Sequence, residues 1–192
     1  MFTATVCVLG LATTLQGAQP KIQADTRNWI AANVCAAAAD RKVDVRHLVA
    51  YMLNENRGLD LYSIRPASLG NDHGLFQINS HFQAHRKELP QAHHPYFGAT
   101  MAADLLLENV KHFGWTWQAF AAYWSPEQAK RGTADAKAYY ARFAKHYQEV
   151  DGHLQRAANW VASGSHLKIN PGATTKTALF VSHLNNKEVG EQ

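Results

Sequence analysis

Residues 51–80 read YMLNENRGLDLYSIRPASLGNDHGLFQINS. The stretch starts inside an apolar helical run and delivers one carboxylate, Glu55, between Asn54 and Asn56. Upstream, Asp44 precedes Val45, Leu48, Val49, Met52 and Leu53, which form one apolar stripe at helical spacing. The pattern predicts a helix that ends near Glu55 and is closed by Gly58. Leu48, Tyr51 and Met52 lie seven, four and three positions before Glu55, on its face of the helix. A carboxyl beside such side chains loses hydration, and its pKa rises. It can then stay protonated near neutral pH and serve as a general acid. The bland alternative is an exposed glutamate at a helix end. Residues 57–74 are rich in Gly, Pro, Ser, Asn and Asp and read as a long loop. Loops of that length in compact domains are usually functional.

Working outward, most of the remaining chain has helical periodicity. Asp25 or Thr26 can cap a helix through Ile30, Val34 and Ala37. FQINSHFQAH (76–85) reads as a short helix or extended turn. ATMAADLLLENVKHFG (99–114) is a helix stopped by Gly114. Thr116 caps WQAFAAYW (117–124), stopped by Ser125-Pro126. Thr133 opens ADAKAYYARFAKHYQEV (134–150), with Tyr140, Phe143, Ala144 and Tyr147 on one face. LQRAANWVA (154–162) after Gly152 is read as a further helix, and residues 163–192 as a flexible tail. The expected fold is all-α, α+β at most, with a long active-site loop. The expected organisation is a leader over 1–18, a catalytic domain over 25–150, a C-terminal helix over 151–162, and the tail.

The 192 residues suit one domain, and 46% apolar residues are enough for a core. The net charge of +4 suits an acidic polymer. No Lys/Arg-rich run is present, and nucleic acid is not expected as a partner. MFTATVCVLGLATTLQGA (1–18) has no charged side chain. It reads as a signal peptide cleaved near Ala18, although the basic n-region is missing. The alternatives are a start codon upstream of Met1 or a frayed N-terminal arm. The leader reading gives export to the periplasm. It also removes Cys7, so Cys35 is left as a buried structural thiol without a disulfide partner. Among the 11 histidines, His81 and His85 are spaced i, i+4, and His93-His94 are adjacent. Phe82 stands where a zinc-hydrolase motif needs Glu, and no third ligand is evident. No metal and no cofactor are expected.

LVAYMLNENRGLD (48–60) followed by NDHGLFQIN (71–79) resembles the soluble lytic transglycosylase and lysozyme-like superfamily. FGWTWQAFAAYWSPE (113–127) is similar to that family's Gly-x-x-Trp-x-x-hydrophobic-x-x-Tyr-Asn element. KAYYARFAKHYQEV (137–150) is similar to its closing Tyr-rich helix. The four elements stand in the family's order over about residues 28–150. The match is closest in kind to the small transglycosylases of conjugation, pilus and type III or IV secretion systems. The resemblance implies a lysozyme-like helical domain. It implies Glu55 as catalytic acid/base and Gln77 as a residue that contacts sugar or organises the cleft. It implies Tyr123 as the tyrosine reaching toward the glutamate, and Asp72 as a candidate second carboxylate. Asn56, Asn79 and Trp124 complete the expected substrate-binding set. Three positions depart from the pattern. Asn56 replaces the Ser after the glutamate, Trp124 replaces the Asn after the motif tyrosine, and Pro95 is followed by Tyr96 where secretion-associated members carry a bridging cysteine.

The implied reaction is cleavage of the MurNAc-GlcNAc β-1,4 bond of peptidoglycan glycan strands with formation of 1,6-anhydroMurNAc. It would remodel the wall locally for an envelope-spanning conjugation, pilus or secretion apparatus, whose components become candidate partners. Two alternatives stand beside it. One is a lysozyme-type muramidase using Glu55 and Asp72 as an acid/nucleophile pair. The other is a catalytically weak wall-binding scaffold subunit.

Overall fold

A computed structural model describes residues 2–164. The described chain is mainly α-helical, with one small three-stranded sheet. Helix α1 spans Ala4–Ala18, α2 Ala24–Arg41 and α3 Val45–Glu55. Strands β1 (Ile64–Pro66), β2 (Asn71–His73) and β3 (Ile78–Asn79) follow. Then come α4 (Pro95–Phe113), the short α5 (Trp117–Ala121), α6 (Pro126–Arg131) and α7 (Ala134–Ala162). The tail reading from residue 165 onward lies outside the described residues.

Local chemistry explains the helix ends. Asp44 caps α3, its Oδ1 accepting from the Arg46 amide at 2.9 Å. His94 caps α4, and Pro95 occupies the first turn, where its missing N–H has no role. Thr133 caps α7 by accepting from the Ala136 amide. α2 starts at Ala24, so Asp25 lies in its first turn rather than at its cap.

Helix α3 is central. Leu48, Val49, Ala50, Tyr51 and Met52 are fully buried. It packs against α7, α2 and α4. The polar stretch after it does not remain a plain loop. It forms an antiparallel sheet of order β1-β2-β3, in which Asp72 is opposite Arg65 on one side and Asn79 on the other. The segment 78–79, expected as helix or turn, is the third strand. Gly74, at φ 71°, makes the return possible, since a Cβ there would sit 2.4 Å from the Ala92 carbonyl oxygen.

One expectation about the helices needs correction. Residues 154–162 are not a separate helix, because α7 runs without a break through Gly152. A mid-helix glycine costs about 1 kcal/mol. Val150 and Leu154, both fully buried, offset it by packing into the core. Within residues 1–18, read as a leader, Ala4–Ala18 form helix α1. Leu11 and Leu15 are fully buried, and α1 lies along α7 and α2. Its Gly10 permits the approach, since a Cβ would meet Leu154 Cδ2 at 2.7 Å.

The same packing overturns the free-thiol expectation. Cys7 of α1 and Cys35 of α2 form a disulfide, with Cα atoms 6.1 Å apart. Among the described residues, no helix is long and apolar enough to cross a membrane.

The bridge spans 28 positions, and chain-entropy reasoning gives it about 3–4 kcal/mol of stabilisation. Reduction, or the Cys7→Ala/Cys35→Ala pair, is expected to lower the urea-derived unfolding free energy by that order. An unchanged midpoint under reducing conditions would show that the bridge contributes little to the fold.

Candidate active site

Glu55 is the last residue of α3, where its side chain leaves the core stripe for the polar sheet region. Tyr139 of α7 donates its hydroxyl hydrogen bond to Glu55 Oε1. Tyr139 is 3% exposed, so this contact is shielded from water. Arg65 of β1 donates to the Glu55 backbone carbonyl at 2.9 Å, satisfying an orphan acceptor at the helix end. These contacts fix the glutamate from the helix side and from the sheet side.

Burial is the largest influence on the Glu55 carboxyl and pushes its pKa from the ordinary 4.5 up to about 7. The Tyr139 hydrogen bond opposes this by favouring the charged form. The negative charge of Asp72 pushes the pKa further up, while Arg65 and Arg142 pull it down. Arg142 also lies over the Tyr139 ring, 5.7 Å from its centroid. The result is a carboxyl group poised to hold and release a proton near neutrality.

The other candidate residues have distinct places. The charge of Asp72 acts on Glu55, and its Oδ1 accepts from Asn79 Nδ2 at 2.8 Å. Asn79 is occupied by the turn, since it donates to the Leu69 carbonyl and accepts from the His81 and Phe82 amides. Asn56 is 1% exposed, and its Nδ2 donates to the carbonyls of Asp60 (2.8 Å) and Gly74 (3.2 Å). Asn56 and Asn79, expected to bind substrate, therefore tie the loop to the end of α3 and hold the sheet. Gln77, at φ 50°, donates to the Gly74 carbonyl at 2.7 Å, and its Oε1 is buried without a partner among the described residues. That leaves Gln77 as an organiser of the Gly74–Gln77 turn with one unused acceptor.

Tyr123 does not hydrogen-bond Glu55. Its hydroxyl donates to the Phe76 carbonyl at 2.7 Å, and its ring stacks on Tyr51 with centroids 4.1 Å apart. It locks the chain just after α5 to the Gly74–Ile78 segment. The glutamate's direct partner, Tyr139, was missed because the inner face of α7 was read one residue out of phase. The signal was present in the sequence. Ala136, Tyr139, Phe143, His146, Val150 and Leu154 recur at three- and four-residue steps, and all are buried.

Trp124 is 47% exposed and stacks on Tyr139, with centroids 6.0 Å apart and planes 15° from parallel. An open indole face thus lies beside the buried Glu55–Tyr139 pair. Trp115 is also exposed, but stacks on His47, near the start of α3. Trp117 packs toward Tyr140. Among the described residues, no group of three or more His, Cys, Asp or Glu side chains is placed to hold a metal ion.

Comparison with protein-family models, with curated proteins and with solved structures finds no match to this chain.

The raised pKa has a consequence for stability whose sign is fixed by linkage. Between pH 4.5 and about 7 the folded chain keeps a proton on Glu55 that the unfolded chain has released. This contribution is fully present below 4.5 and is lost as pH rises through about 7. The loss is on the order of 3 kcal/mol. Glu55→Gln is therefore expected to be more stable than the parent at pH 8 by up to that amount, with the gain gone at pH 4. Urea unfolding at the two pH values checks it, and equal differences at both would mean a solvated carboxyl.

The two tyrosines separate in a carboxyl NMR titration. Tyr139→Phe removes the bond that lowers the Glu55 pKa, so the titration moves upward. Tyr123→Phe leaves the Glu55 hydrogen bond in place but orphans the Phe76 carbonyl, costing about 1–3 kcal/mol of stability. A larger titration shift in Tyr123→Phe than in Tyr139→Phe would reverse these roles.

Proposed function

We propose that this chain is a peptidoglycan lytic transglycosylase that cleaves the MurNAc-GlcNAc β-1,4 bond with formation of 1,6-anhydroMurNAc. The observation that carries the reading is Glu55, a carboxyl lifted to about 7 at the end of a buried helix and hydrogen-bonded by Tyr139. The ordered sequence elements around residues 48–60, 71–79, 113–127 and 137–150 give it its family context.

The chemistry follows from the geometry. Protonated Glu55 donates to the glycosidic oxygen as the C1–O bond breaks and oxocarbenium character builds at C1. Tyr139 holds Oε1, so it orients the group and stabilises the carboxylate left behind. That carboxylate then accepts the proton of the muramyl C6 hydroxyl as its oxygen bonds to C1. No water is consumed, and nucleophile and electrophile belong to one sugar. Trp124 offers its exposed face to a pyranose ring beside the reacting bond.

The disulfide suits an oxidising compartment, which supports action in the periplasm. The resemblance to small transglycosylases supports service to an envelope-spanning conjugation, pilus or secretion apparatus. A lysozyme-type hydrolysis remains the second reading, because the Asp72 charge is felt at Glu55. Its hydrogen bond to Asn79 favours a structural role for Asp72.

Wall digestion followed by borohydride distinguishes the two. Transglycosylation leaves an internal acetal that borohydride does not reduce, whereas hydrolysis leaves a reducible sugar. Anhydromuropeptides are expected, with substantial activity in Asp72→Asn and a loss of several orders of magnitude in Glu55→Gln. Reducible products together with an inactive Asp72→Asn would move the protein to the lysozyme class. A fully active Glu55→Gln would end both readings.

A further inference from the structure

Behind the catalytic glutamate, α7 carries a second feature. Tyr139, Arg142, His146, Glu149 and His153 recur at steps of three, four, three and four, so they share one side of the helix. Two adjoining cavities, of about 400 and 330 Å³, open along this side between α7, the end of α3 and the end of α1. They share Leu53, Arg57 and His146, and so form one groove. Its size is within the range of small-ligand sites.

The lining is cationic with one exception. Arg57, Arg142 and Lys145 contribute fixed positive charge, and Glu149 contributes one carboxylate, 3.1 Å from His146 Nδ1. Arg57 and Lys145 have no ion pair among the described residues. Asn54 Nδ2 and His153 Nδ1, on opposite walls, are buried donors or acceptors without a partner among the described residues. Cations and polar atoms left unpaired in a concave site mark it for an anionic ligand.

One end of the groove reaches Arg142, whose charge acts on the Glu55 carboxyl. Arg142 covers the ring of Tyr139, which holds Glu55, and Asn54 is the residue before Glu55. From Arg142 to His153 the helix rises by about 16 Å. An extended peptide of about four or five residues has that length. Peptidoglycan carries such a chain on the muramyl sugar whose C1 reacts. We propose that this groove is the subsite for the stem peptide of the muramyl residue at the scissile bond. Arg57, Arg142 and Lys145 hold its carboxylates, and Glu149 receives the side-chain ammonium of its diamino acid. The proposal rests on the transglycosylase reading and deepens it. The single carboxylate in the lining decides between candidate anions: a phosphate polymer would meet Glu149 as a like charge, whereas a peptide with several carboxylates and one ammonium complements the pattern.

The test is binding to the full-length Glu55→Gln protein, which holds substrate without turning it over. The probes are glycan fragments bearing stem peptides, the same fragments stripped of peptide by an amidase, and inorganic polyphosphate. Two variants challenge the groove. Arg57→Glu/Lys145→Glu reverses its charge. Gly17→Phe fills it without altering charge, since a Cβ at Gly17 meets nothing within 4 Å. Far-UV circular dichroism and an intact disulfide certify both folds.

Peptide-bearing fragments are expected to bind at least about tenfold tighter than stripped ones, with the advantage lost in both variants. Equal affinity for the two fragments would overturn the subsite while leaving the glycan reading intact. So would an advantage that survives both variants. Failure of both fragments to bind would remove the glycan reading and the subsite with it. Polyphosphate that binds in a groove-dependent way, where the peptide-bearing fragment gains nothing, would assign the groove to phosphate and overturn the proposal.

Discussion

A carboxyl group withheld from water at the end of α3 is the constraint around which the rest of the molecule is arranged. Glu55 is three residues past Met52, the last of a fully buried stripe, and still within α3, so its backbone position is set by core packing rather than by a loop. Desolvation alone would leave an unstable and poorly oriented acid. Tyr139 supplies orientation from α7, and Arg65 supplies a counter-charge and a helix-end hydrogen bond from β1. The C-terminal end of a helix carries partial negative charge, which also disfavours the carboxylate. Each neighbour acts on the same variable, the free energy of one proton. The balance leaves that proton transferable near neutrality.

Much of this was legible in the sequence, but only where a residue's role followed from its own helix. Val45, Leu48, Val49 and Met52 define α3 by period, and Asp44 announces its start. Glu55 follows from them with no tertiary information. The side chains that answer Glu55 from other elements were harder to place. Tyr139 and Tyr140 are adjacent aromatics on an amphipathic helix, and a one-residue phase error rotates the assigned face by about 100°. Asn56 and Asn79 looked like cleft residues because polar side chains beside a catalytic acid suggest substrate contact. Both amides instead satisfy backbone carbonyls of a tight return, an obligation that the sequence does not display.

The N-terminal segment is ambiguous in sequence for a different physical reason. A leader and a fully packed core helix make the same demand on composition, namely apolar side chains and no charge. Val6-Cys7-Val8-Leu9-Gly10-Leu11-Ala12 satisfies both. What separates them is a partner surface, and that exists only once α7 extends past Gly152 to present Leu154 to Gly10. The cysteine reading failed in this segment. Cys7 was discarded along with its helix, so Cys35 seemed to have no partner. The spacing of two cysteines conveys nothing about pairing until the helices that carry them are placed side by side.

These errors meet at α7, which does two tasks that pull on its position. Its first half brings Tyr139 to Glu55, where a displacement of an ångström would break the hydrogen bond that orients the acid. Its second half packs on α1 and walls the basic groove. A carboxyl held at high pKa weakens the fold as pH rises, so the elements around it must be braced from elsewhere. The α1–α7 contact does that at the far end of the long helix, and the Cys7–Cys35 bridge fastens α1 to α2, which packs in turn on α4 and α3. The brace is indirect: no atom of α1 need touch the Glu55–Tyr139 pair. It fixes the axis of α7, and through that axis the distance between a phenol and a carboxyl. Loosening α1 would therefore act on the acid itself, by letting water reach Glu55 and its pKa fall toward the ordinary carboxylate value. In this molecule the stability of the N-terminal helix and the protonation state of the Glu55 carboxyl are one mechanical problem.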